Sequence, residues 1–448
     1  LSAPIVAPAS NQRPNSHAAT IPGANIEQVS MQEPASSETP WHPAIMESSA
    51  FSEDDELSIE TLVDHVLARN PTLAQMTAAW QAASARYAQA TSLDDPMFGT
   101  VIGPASIGSN DVEFAYRVEA SQKLPFCGKL RLRGEAATAE SAAAHSDLDD
   151  MRLQLIESAK SAFYDYYLVY RALAVNEESL QLLRDTRRTA EDRFRTGLSL
   201  QQDVLQADVE IGRQQQRTLA LERMRRVVQA RLNTLMHFVP DRPLPRPPST
   251  MELAGTLPDV TVLREQAVGQ RPDLRALADR IEADRALLGL AYKEYGPDFE
   301  VMAAYDAFWQ PEERDLRPMV GVRLNVPIRQ QRRNAAVAEM RARLGQRSAE
   351  LASRTDQVNL QVQEAYERVI ESERAVRLFN DTILPAATEN VNAARSSYIA
   401  ARISLMSLID AQRSLVDLRD GYYETMAEYY RRRATLERVI GSALPPTN

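Results

Sequence analysis

The 448-residue chain has one cysteine, Cys127, so no internal disulfide can form. Its five histidines, His17, His42, His65, His145 and His237, are scattered without metal-ligand spacing. Gly-x-Ser-x-Gly, His-Glu-x-x-His and phosphate-loop patterns are absent, which leaves an enzyme reading without support and implies no cofactor. The carboxylate pairs Asp94-Asp95 and Glu312-Glu313 fall in predicted loops and read as solvated charge. Basic excess is also missing. Lys and Arg number 51 against 61 Asp and Glu, a net charge of −10 that excludes the footprint of a nucleic-acid partner. No run reaches the ~18 apolar residues of a transmembrane helix. The remaining way to span a bilayer is a closed β-barrel, where every backbone polar group is paired. The start at Leu1, with no charged segment leading into an apolar core, reads as the product of processing or trimming.

What the chain has is length and periodicity. Residues 1–52 are rich in Pro, Ser and Ala and read as a flexible lead-in. A second proline cluster, Pro240 to Pro248, marks a connector over 240–261. It separates two similar halves, 53–239 and 262–441, followed by a tail at 442–448. Pro71 precedes Pro96 by 25 residues, and Pro272 precedes Pro297 by the same interval. Between them lie amphipathic segments, with Leu73, Trp80 and Tyr87 in one and Leu274, Ile281 and Leu288 in the other.

Each half then predicts a β-hairpin, at 97–124 and 298–327, ending at Pro125 and Pro327. At 112–124, Val112, Phe114, Tyr116, Val118 and Leu124 alternate with Glu113, Arg117, Glu119 and Lys123. At 319–326, Val320, Val322, Leu324 and Val326 alternate with Gly321, Arg323 and Asn325. This period-two pattern suits a membrane barrel with a wet lumen, and equally a half-buried soluble strand. Phe98, Phe114, Tyr116, Tyr305 and Trp309 are candidates for interfacial girdles, or for ordinary strand packing.

Long helices are expected over about 129–196 and 331–400, each on the order of 100 Å. Ile156, Ala159, Phe163, Tyr166 and Tyr170 show the 3-4 spacing of a coiled coil, as do Ala365, Val369 and Val376. Pro385 predicts a bend in the second helix. Return helices follow over 199–238 and 402–440. Arg431-Arg432-Arg433 reads as a solvated helix face. Four strands cannot enclose a pore, so a spanning reading requires several copies, and three would supply twelve strands.

Taken together, the paired prolines, the duplication and two helix-to-helix turns resemble the TolC-like outer-membrane efflux proteins over residues 56–441. One turn runs from Phe194 through Gly197 to Ala207, the other from Tyr398 through Ala401 to Ala411. Ala401 stands where the family usually has glycine, and Ser407 where an acidic residue is common. The resemblance implies a mainly α fold with a small β part. Long coiled-coil helical hairpins would form a trimeric α-barrel, and four strands per protomer would join a shared twelve-stranded transmembrane β-barrel. It implies a passive exit duct in the outer membrane with its tunnel in the periplasm. The partners would be two further copies, a periplasmic adaptor, an inner-membrane pump and outer-membrane lipid. Asp410 and Ser407 become candidates for the pore constriction, with a surface pair between Asp410 and Arg402 or Arg413 as the alternative. Phe194, Gly197, Leu198, Val204, Leu205, Tyr398, Ala401, Leu408 and Ile409 become candidates for adaptor docking. A coiled-coil tether of the cell envelope is the competing class, but it leaves the matched hairpins unexplained.

Overall fold

The computed structural model describes residues 56–108, 114–307 and 318–444. Val112, Glu113, Trp309 and the second hairpin tip lie outside the described residues, as does the lead-in. The first half contributes α1 (Ile59–Arg69), α2 (Pro71–Thr91), β1 (Met97–Ile102), β2 (Tyr116–Leu124), α3 (Lys129–Arg195) and α4 (Gln201–Leu235). The second repeats this order with α5 (Val260–Gln270), α6 (Pro272–Lys293), β3 (Phe299–Asp306), β4 (Pro318–Leu324), α7 (Gln330–Leu378), α8 (Leu384–Ile399) and α9 (Leu405–Ile440).

Sequence reading missed α1 and α5, each 11 residues long and each ending two residues before a proline that starts the next helix. The break is local chemistry. Asn70 and Arg271 are held extended by Pro71 and Pro272, and each proline then occupies the first helical position, where its missing N–H costs nothing.

α3 runs unbroken for 67 residues, about 100 Å at the standard rise. Its counterpart is interrupted by a π-turn at Phe379–Ile383, immediately before Pro385. The wider turn accommodates a residue that cannot donate a backbone hydrogen bond, and the bend expected at Pro385 takes this form.

The core is built from each half separately and then joined. One cluster gathers Leu62, Val66, Phe163, Tyr166 and Leu232 from α1, α3 and α4. Another gathers Leu263, Val362, Val369, Tyr429 and Leu436 from α5, α7 and α9. The arginines at 431–433 do not form a solvated face. Arg431 reaches Asp165 on α3 at 2.6 Å, and Arg432 reaches Glu371 on α7 at 2.8 Å. Arg433 donates to Gly255 O at 3.5 Å. The run therefore ties α9 to two neighbouring helices and to the connector.

Candidate membrane face and helical turns

The four strands form one antiparallel sheet in the order β1-β2-β3-β4. β2 and β3 come from different halves, so the duplication is joined by strand pairing at its centre. Among the described residues, both outer edges, on β1 and β4, carry no partner strand.

Register sorts the side chains. Phe98 pairs with Ala120, Ala303 and Val320; Thr100 pairs with Val118, Tyr305 and Pro318. Gln122 pairs with Val301 and Val322, and Leu124 with Phe299 and Leu324. One face is thus almost wholly apolar, and it is exposed in the protomer. The other face carries Arg117, Glu119, Ser121, Lys123, Glu300 and Arg323, with a 3.0 Å pair between Arg323 and Glu300. An apolar face left to solvent along a whole sheet is the arrangement expected of strands bathed in lipid, with the polar face toward water. Tyr116 and Tyr305, with ring centroids 5.9 Å apart, mark one border of the apolar band, and Phe114 stacks on Tyr116. Phe299 lies in the row at the opposite border, and Phe98 lies in the middle row beside Ala120.

At the strand-to-helix joint, Lys129 is buried in the first turn of α3. Its ammonium reaches Asp298 at 2.9 Å and Glu294 at 3.1 Å, and the Phe126 amide donates to Asp298 at 2.8 Å. Partial burial would raise the Asp298 pKa, but these hydrogen bonds outweigh it and hold the carboxyl below its usual range. The buried cation has its charge compensated from the second half, which fixes the two halves at the base of the sheet.

At the far end, the turns Thr196–Leu200 and Ala400–Ser404 are close structural equivalents. Gly197 adopts φ +73°, and Ala401 matches it at φ +58°. The left-handed residue is what allows each helix to reverse, and in the second turn an alanine accepts that strain. Ser404 Oγ accepts from the Ser407 amide at 3.2 Å, capping α9. Arg193 donates to the carbonyls of Tyr398 and Ile399, both at 2.8 Å, and its guanidinium lies 4.9 Å from the Tyr398 ring. It thereby satisfies the last carbonyls of α8 from the other hairpin.

Tyr398, Leu408 and Ile409 are buried with Ala190, Ala207 and Leu405 in a small core that draws on both hairpins, and Val204 packs against it. Those three docking candidates hold the turns together and offer no free surface in the protomer, because their side chains point between the hairpins. Phe194, Gly197, Leu198, Leu205 and Ala401 are exposed. Sequence reading missed Arg193 and the exposed Leu200, Ile399 and Met406. An arginine in the last turn of a helix was the one available signal for Arg193.

Asp410 is 61% exposed on α9 and lies 3.3 Å from Arg413. Arg413 is engaged mainly with Glu210 on α4, its Nε donating to Oε1 at 2.8 Å. That hydrogen bond and charge hold the Glu210 pKa below its ordinary value. Arg402 uses its backbone amide, donating to Ser397 O at 2.8 Å. Ser407 is exposed beside Asp410.

A family model described as "Outer membrane efflux protein" matches residues 62–236 and 263–442. The chain belongs to this family. Among curated relatives, the cobalt-zinc-cadmium resistance protein CzcC of Cupriavidus metallidurans is 25% identical over 37% of this chain and 39% of its own length. Nodulation protein T of Rhizobium leguminosarum bv. trifolii is 24% identical, covering 71% of this chain and 70% of its own. Of the solved structures, CusC superposes with a TM-score of 0.75 at 18% identity, over 87% of this chain and 93% of its own. The open MtrE channel of Neisseria gonorrhoeae gives 0.72 at 17%, over 88% and 94%. At such identities the likeness carries the fold, and that fold is TolC-like, as the resemblance implied. As an outer membrane efflux protein, the chain places its sheet in the outer membrane and its helices in the periplasmic tunnel. Its family and structural neighbours are channels, not enzymes. Among the described residues no helix is long and apolar enough to cross a membrane.

Proposed function

We propose that three copies of this efflux protein form a passive exit duct, which receives cargo from a periplasmic adaptor and an inner-membrane pump. The observation that carries this reading is the sheet: four strands, two open edges, one exposed apolar face. Pairing β4 of one copy with β1 of the next satisfies both edges, and three copies give twelve strands. The cargo is small molecules or metal ions, and the name of the CzcC relative supports the metal ions. The tip surface of Phe194, Gly197, Leu198, Leu205 and Ala401 receives the adaptor. Three copies of Asp410, with Ser407 beside each, form a ring of like charge at the constriction, which concentrates cations.

Light scattering of the detergent-solubilised protein tests the reading, with three protomers per particle expected. A stable monomer that conducts in planar bilayers would overturn it. In the same bilayers, Asp410→Asn should lower cation selectivity, and unchanged selectivity would remove Asp410 from the constriction.

A further inference from the structure

The most exposed large apolar side chain among the described residues is Ile328, at 84%, ahead of Val320 at 80% and Phe98 at 79%. Val320 and Phe98 lie on the apolar face of the sheet, in one row. Ile328 does not belong to the sheet. It lies beyond β4, in the joint that leads into α7, and it extends an exposed apolar series through Val320, Val322, Leu324 and Val326. Three backbone amides of this joint are satisfied internally. The Asn325 amide donates to Asp298 O at 3.1 Å, Ile328 to Val326 O at 2.9 Å and Gln330 to Ile328 O at 3.0 Å, while Pro327 has no amide to satisfy. A segment bonded this way can approach hydrocarbon without leaving those donors stranded.

Arg329 follows Ile328 directly and Arg332 three residues later, both exposed. Neither guanidinium has a carboxylate partner among the described residues, whereas Arg323 on β4 and Arg343 and Arg347 on α7 are ion-paired. The matching joint of the first half is different. There Phe126 packs against Gly296 and Lys293, and Lys129 is buried between carboxylates.

We propose that Val326, Ile328, Arg329 and Arg332 form a phospholipid-binding collar at the periplasmic surface of the outer membrane. The two apolar side chains enter the acyl boundary, and the arginines take the lipid phosphate. This placement follows from continuity with the apolar sheet face and from the charge complementarity of unpaired guanidinium with phosphate. The proposal rests on the sheet being the membrane sheet, so its test includes a control on the sheet itself.

The full chain, reconstituted in vesicles of phosphatidylethanolamine and phosphatidylglycerol, would carry a nitroxide through Ile328→Cys in a Cys127→Ser background. Spin-label relaxation should show greater accessibility to oxygen than to a water-soluble nickel chelate, as for a control label through Val322→Cys. Preference for nickel at 328 with oxygen preference at 322 would overturn the collar and leave the membrane sheet intact. Nickel preference at both would overturn the sheet assignment. Shielding from both probes at 328 would assign the joint to a neighbouring copy, which also overturns the collar. Arg329→Gln with Arg332→Gln should weaken phosphatidylglycerol retention by the solubilised protein about tenfold, and undiminished retention would remove the arginines from the site.

Discussion

The two halves share an order of elements but not an environment. α6 packs between α3 and α7 and buries Leu274, Ala276, Ile281, Ala283 and Ala286, whereas α2 packs along α3 and buries only Ala83. The return helices differ in the same way. α9 is packed against α3, α7 and α8, while α4 lies on α3 and, beyond the tip, leaves Val209, Leu219 and Val227 exposed. A duplicated unit laid side by side has one copy of each helix inside and the other at an edge. The exposed apolar residues of α2 and α4 are the edge surfaces that the proposed trimer would cover.

Four experiments break or sharpen that contrast. The largest effect is expected from giving α3 the proline that its counterpart tolerates. Counted back from the two turns, Gln181 corresponds to Pro385. Without a π-turn, Gln181→Pro removes an interior hydrogen bond and clashes with the preceding turn, costing about 3 kcal/mol or more. Thermal unfolding followed by circular dichroism should show a lowered midpoint, and an unshifted one would mean that α3 bends as freely as α7.

Next come the inner and edge helices. Ile281→Ala should destabilise the protomer by about 2–3 kcal/mol. Tyr87→Ala on the edge should leave protomer unfolding nearly unchanged and weaken trimer recovery instead. Equal effects on unfolding would erase the distinction.

A smaller effect separates the two turns. Ala401→Gly relieves the left-handed strain and should stabilise by about 1 kcal/mol, whereas Gly197→Ala should cost about as much. Hydrogen exchange at the turn amides would resolve both changes.

The smallest concerns two Arg–carboxylate pairs between α4 and α9. Arg413 depresses the Glu210 pKa, so this pair contributes stability above the unfolded carboxyl value and loses it as pH falls through the depressed one. Burial raises the Asp420 pKa despite its hydrogen bond from Arg217. That contribution is complete below the unfolded value and is lost as pH rises through the raised one. Glu210→Gln should therefore destabilise at neutral pH and converge on the parent in acid. Asp420→Asn should be neutral or mildly stabilising at pH 7. Parallel pH profiles for the two variants would contradict the assignment.

Much of this architecture was legible because it is written in local rules. The proline pairs located the starts of α2 and α6, the 3-4 spacing marked α3, and alternation marked β2 and β4. β1 and β3 were harder to read, since Gly99, Thr100, Ala303 and Ala304 offer little polarity contrast. Only pairing with β2 assigns their faces. The turns were recognisable as turns. Their motif did not reveal that Leu408 and Ile409 face inward while Leu205 faces out, because that depends on a second hairpin some 200 residues away in sequence. The same distance hid Arg193, whose acceptors are Tyr398 and Ile399, and partners on other helices, 266 and 61 residues away, disguised Arg431 and Arg432 as surface charge.

The open edges of the sheet have a genetic consequence. A sheet of four strands is too small to close around a pore, so in the proposed barrel every seam would be shared between copies. A copy with a sound β1 and a ruined β4 would still be accepted by a neighbour on one side and would leave the ring open on the other. Such an allele would be dominant: expressed beside the normal one, it would spoil every ring it entered, leaving functional only the minority assembled wholly from normal chains.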